Sequence, residues 1–192
     1  HSDYQGRYTY QNQPSIGHWN LWTWLNNLIP LAKPEHKEQF KQDLATCLEQ
    51  FEPIFLHHYG QGLCEKMGLP HFHKDSLDCS FAFLRILQTE QLDYTQSFIR
   101  LQNKEYKTLR DDCLDLRQFD AFLHQYQEIR KTQDTDELDR VMQSANPHYI
   151  LRNHMAQKAI ELAERGDFSE VDRLFKLLNQ PYQKKTDLET EQ

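Results

Sequence analysis

Four side chains of zinc-ligand type, Cys64, His71, His73 and Cys79, fall within a 16-residue stretch. Structural zinc sites usually present cysteine pairs two to four residues apart, and no such pair occurs here. The spacing favours a loop with surface histidines and two buried thiols, so no metal site is expected. His57 and His58 are consecutive. On a helix they point about 100 degrees apart and do not chelate together. Asp111, Asp112 and Asp115 form a carboxylate group. Acid–base pairs need a defined separation across a cleft, so a solvated face is the expectation for these three. No GxSxG, HExxH, GxGxxG or glycine-rich phosphate loop occurs. None of the four cysteines sits in an electropositive segment that would activate a thiolate. From motifs alone, no catalytic, cofactor-binding or metal-ligating residue is expected in this chain.

Trp19, Trp22 and Trp24 are packed into six residues. At helical spacing Trp19 and Trp22 share a face and Trp24 points elsewhere. Two readings are open: an aromatic anchor for a partner, or a helix buried on several sides. The second is preferred.

The elements that hold these residues read as helices. His1–Pro14 is a polar, aromatic lead-in, extended or looped, punctuated by Gly6 and Pro14. Ile16, Trp19, Trp22, Leu25, Leu28 and Ile29 repeat at helical spacing over Ser15–Ile29. Phe40, Leu44, Cys47, Leu48, Phe51, Phe55 and Tyr59 make the clearest stripe, with Pro53 inside it predicting a kink or break. Ser76 is expected to cap a helix carrying Leu77, Phe81, Leu84 and Leu87. A helix is expected over Leu92–Leu101, a polar loop over Gln102–Asp115, and another stripe from Leu116 to Ile129. A short helix carries Leu138, Val141 and Met142. Asn146-Pro147 predicts a helix start, running to Arg165 and stopping at Gly166. Ser169 then caps a last helix with Val171, Leu174, Phe175 and Leu178. Asn146–Leu178 looks like one unit of a helical repeat, but no second copy is found, so a packed helix pair is preferred. The expected organisation is a lead-in over 1–14, one helical domain over 15–179 and a polar, frayed tail over 180–192.

Composition agrees. The chain has 192 residues, 38% hydrophobic and 27% charged, with only 6 Gly and 7 Pro. Its mean hydropathy is -0.85. Its 25 Leu against 2 Val favour helix over pleated strand. The expected class is all-α, about eight packed helices with no convincing strand. A net charge of -7 and the lack of a Lys/Arg run argue against a nucleic-acid or anionic-membrane partner. The longest apolar stretch, Leu28–Ala32, is far below the ~20 residues that span a bilayer. Four widely spaced cysteines suit reduced thiols.

Two segments then converge on one family. His1-Ser2-Asp3-Tyr4-Gln5-Gly6-Arg7-Tyr8, with Asn12-Gln13-Pro14 and Trp19-Asn20-Leu21, follows an HSDxQGRYxxxNQPxxxxWNL pattern. Asn146-Pro147, Leu151-Arg152-Asn153, Ala156-Gln157, Ala159-Ile160-Glu161 and Gly166-Asp167 follow NPxxxLRNxxAQxAIExAExGD. Asp93-Tyr94-Thr95 matches a DYT element between them. In this order the motifs resemble the selenoprotein O family, also called YdiU. The resemblance implies a kinase-like parent that transfers AMP from ATP to protein Ser, Thr or Tyr hydroxyls, with Mg2+ or Mn2+ as counter-charge. It implies protein substrates, and a cytoplasmic location for a bacterial source or a mitochondrial one for a eukaryotic source.

The family's phosphate-binding Lys and Arg, its Asp-Asn pair and its DYG aspartate precede the HSD segment. None is carried over to a residue here. Its C-terminal Cys or selenocysteine tail is not matched either. The chain is therefore expected to be a C-terminal helical part of such an enzyme, inactive alone, with Ser15–Ile29 as a central buried helix. Asp3 and Arg7 follow directly on the metal-binding motif and are expected near the active-site mouth; an Asp-Arg contact that only tethers the segment is the competing reading. A stand-alone helical interaction module without chemistry is the alternative for the whole chain.

Overall fold

A computed structural model describes residues 3–70, 73–131 and 133–185. Ten α-helices and no β-strand occur among the described residues, so the chain is all-α. They divide into two compact units, 1–60 and 61–192, with the boundary inside one helix.

In the first unit a turn over Asp3–Thr9 leads through a 3-10 turn, Tyr10–Asn12, into α1 (Gln13–Leu28). Pro14 sits in the first turn of α1, where a missing N–H costs no intrahelical bond. Pro30 falls in the 3-10 turn Ile29–Leu31 that ends the helix. The next helices are α2 (Lys37–Glu49) and α3 (Phe51–Met67). The expected break at Pro53 is found, displaced to Gln50. Proline is tolerated in a first turn but disfavours helix before it, so the chain restarts and Pro53 becomes the third residue of α3. Leu25, Leu44 and Leu48 line the α1–α2 cleft. Phe51, Phe55 and Tyr59 stack along α3 with ring centroids 6.2 and 5.6 Å apart.

Neither α1 nor α2 contains a buried residue. The preferred reading of the tryptophans is corrected here: Trp19, Trp22 and Trp24 are 45%, 51% and 59% exposed.

The second unit holds the core. It contains α4 (Lys74–Thr89), α5 (Tyr94–Gln102), α6 (Tyr106–Asp111), α7 (Leu116–Lys131) and α8 (Thr135–Ala145). α9 (Asn153–Ala163) and α10 (Ser169–Leu178) follow. Phe83 of α4 stacks on Phe122 of α7 at 4.9 Å and meets Phe98 of α5 edge-on at 5.2 Å. Met67, Ile86, Leu101, Leu109, Phe119, Tyr126 and Met142 close the same cluster. Each such side chain contributes about 1.5–3 kcal/mol of burial.

Four local expectations are corrected. The loop expected over Gln102–Asp115 contains α6, anchored by fully buried Leu109. Ser76 is not a cap but a buried residue inside α4, whose flanking residue is His73. Asn146 does not start a helix. It ends α8, and α9 begins at Asn153. The residue before proline is driven to extended backbone, and Asn146 has φ -109° and ψ 102°. At α10 the side-chain acceptor is Asp167, which takes the Ser169 N–H at 2.9 Å.

Candidate functional site

The lead-in is built by its own motif residues. Asp3 accepts the Arg7 and Tyr8 backbone N–H groups on its two carboxylate oxygens, each at 2.9 Å. Gly6 adopts φ +67°, which a side chain would resist, and its carbonyl accepts from Thr9 Oγ1 and Asn12 Nδ2, each at 2.9 Å. The Arg7 guanidinium then lies over the Trp19 ring at 4.4 Å and near the Tyr8 ring at 5.5 Å. Asp3 thus fixes the backbone of Arg7, while Trp19 fixes its side chain.

A second set of motif residues meets in the other unit. Asp93 accepts the Gln96 N–H at 2.8 Å, capping α5, and pairs with Arg152 at 2.8 Å. Burial raises the Asp93 carboxyl, but the Gln96 N–H and the Arg152 hydrogen bond and charge outweigh it and hold it below the usual range. Asn146 Nδ2 donates to the Lys66 carbonyl at 2.8 Å. Lys66 Nζ donates to the Ala145 carbonyl at 3.1 Å and stands 5.0 Å from the Phe98 ring centroid. Burial pushes the Lys66 ammonium down.

Sequence reasoning missed Lys66, and also the Arg130 centre. Arg130 Nη1 donates to Gly68 O at 3.0 Å, and Arg130 pairs with Asp139, which also receives Lys104 at 2.8 Å. Tyr126 and Arg130 lie four apart on α7, the signal that would have joined them.

The other candidates disperse. Cys64 and Cys79 are core residues, and burial pushes the Cys79 thiol up to about 12. His71 lies outside the described residues, and His73 precedes α4. Asp112 pairs with Arg100, and Asp115 accepts the Arg117 and Gln118 N–H groups at the start of α7. Among the described residues no three His, Cys, Asp or Glu side chains gather as a metal would require. No described helix is long and apolar enough to cross a membrane.

The described residues thus build an all-helical scaffold in which the lead-in is held by its own residues and Trp19, and the DYT and LRN elements bind one another. Residues 1–179 match the family "Protein adenylyltransferase SelO", and the chain belongs to that family. It is 36% identical to "Protein nucleotidyltransferase YdiU" of Pectobacterium atrosepticum, over 97% of this chain and 38% of that protein. The Salmonella schwarzengrund protein of the same name is 35% identical, over 97% of this chain and 39% of the relative. The chain spans about two-fifths of the length of these curated relatives.

Proposed function

We propose that this chain is the C-terminal helical part of a protein adenylyltransferase that transfers AMP from ATP to protein hydroxyls. The observation that supports it is the family match over residues 1–179, with both quoted motifs in order. ATP and a divalent ion supply the reacting phosphoryl group and its counter-charge in this reading. No three metal-ligand side chains gather among the described residues, so no step is assigned to a metal held by them. ATP and the ion belong, on this reading, to other parts of the family polypeptide, in the cytoplasm of a bacterial source. The exposed Trp19, Trp22 and Trp24 side chains are where that remainder would pack, which would make α1 the buried central helix expected of it. Asp3 and Arg7 would stand at the mouth of the site.

The same exposed aromatic side chains suit the second reading, a helical interaction module without chemistry. The test is labelled ATP with magnesium or manganese and a generic protein acceptor. The 192-residue chain alone should incorporate nothing, and the product of the complete reading frame should incorporate AMP. Transfer by the chain alone, or none by the complete product, overturns the reading.

A further inference from the structure

Arg7 is held at two points, and neither is an acid on its guanidinium. Asp3 spends both carboxylate oxygens on backbone N–H groups. The guanidinium carbon lies over the Trp19 ring, 4.4 Å from its centroid. No carboxylate among the described residues pairs with it, although the chain has a net charge of -7. An aromatic ring holds a guanidinium by its charge and accepts no carboxylate-type hydrogen bond from it, so the N–H donors at the guanidinium edge stay available to oxygens. Trp19 stands within α1, so the shelf under the guanidinium is a helical one.

We propose that Arg7, seated on Trp19, is a receptor for phosphate oxygens. Its edge takes two oxygens side by side, and the Trp19 ring restrains the guanidinium that meets them. A phosphate group carries more charge than a carboxylate at neutral pH, so an unpaired guanidinium favours it. The proposal deepens the placement of Arg7 at an active-site mouth. It rests on that reading for the source of the phosphate and not for the binding.

The whole 192-residue chain is labelled with nitrogen-15 and titrated with inorganic pyrophosphate, and separately with succinate at matched ionic strength. The Arg7 Nε–H and Trp19 indole N–H signals should shift saturably, with pyrophosphate tighter than succinate. Arg7→Gln should abolish the response. Trp19→Ala should weaken it by about 2- to 5-fold, the worth of an exposed cation–aromatic contact. Circular dichroism of each variant checks that the helices persist. A response that does not saturate, that survives Arg7→Gln, or that is as tight for succinate overturns the proposal. Failed AMP transfer with this binding intact removes only the enzymatic reading, and lost binding with transfer intact removes only this one.

Discussion

Asp93 and Arg152 form an ion pair at 2.8 Å between residues 59 positions apart. It joins the DYT element to the LRN element. The same carboxylate caps α5 through its other oxygen, at 2.8 Å from the Gln96 nitrogen. A local helix start and a long-range tie therefore share one side chain.

Asp93→Ala should cost more than Arg152→Ala. The first loses a cap worth about 0.5–2 kcal/mol together with the pair. The second loses only a pair whose members are 39% and 41% exposed, worth about 0–1 kcal/mol. Because the native carboxyl is held low, the unfolded chain takes up its proton first as pH falls. The stabilisation is complete above the ordinary Asp value of about 4 and is lost as pH drops through the native value. Urea midpoints of wild type and Asp93→Asn should differ at neutral pH and converge in acid. A difference that grows in acid would contradict this.

The periodic stripes made the core legible. Phe119, Leu123 and Tyr126 announce α7 by spacing alone, and Asp93 was legible as part of a motif though not as a cap. Position 146 shows why the rest was not. An Asn-Pro pair satisfies the helix-start rule, yet the same proline forces Asn146 extended, and that outcome ends α8 instead. α6 was hidden because Leu109 is its one fully buried residue, too few to make a stripe. Burial of Trp19, Trp22 and Trp24 depends on what covers them, which no periodicity within α1 encodes. For the same reason Arg7 was legible as a candidate, whereas its seat on Trp19 was not.

Asn146→Ala should destabilise through a different bond from a helix cap. The side chain is 1% exposed and its amide satisfies the Lys66 carbonyl. Removing it leaves a buried acceptor bare, at a cost of about 1–3 kcal/mol. Asn146→Asp should cost more, because a carboxylate would face that carbonyl. Thermal melts of both variants decide it, and equal melting temperatures for wild type and Asn146→Ala would refute the assignment.

Thiol chemistry should sort the four cysteines by burial. Cys47 is exposed, whereas Cys64, Cys79 and Cys113 are buried. Burial raises the Cys64 thiol, takes Cys79 to about 12 and Cys113 to about 11. A thiolate is the reacting form, so at mildly alkaline pH the three core thiols should be slow. A disulfide reagent should titrate one fast thiol in the folded chain and four in denaturant. Cys47→Ser should remove the fast phase, and a fast phase that survives it would place a reactive thiol in the core.

Gly68 and Arg130 should prove coupled. Gly68 ends α3 with φ +58°, a conformation that costs another residue about 1–2 kcal/mol. An added Cβ would also meet the Arg130 guanidinium and stand 2.6 Å from Met142 Sδ. The guanidinium cannot retreat freely, because it is 7% exposed, donates to Gly68 O at 3.0 Å and pairs with Asp139. It is also a cation against the last carbonyls of α3, where the helix dipole favours it. Gly68→Ala should therefore cost about 2–4 kcal/mol, strain plus displacement. Arg130→Met should cost about 1–3 kcal/mol, since the Gly68 carbonyl loses its buried donor while Asp139 keeps Lys104. The double variant should cost clearly less than the two added together, because once the guanidinium is gone the Cβ no longer collides with it. Urea unfolding of the four proteins closes the cycle. Strict additivity would mean that backbone strain alone sets the cost at Gly68, and that Arg130 does not press on the turn it caps.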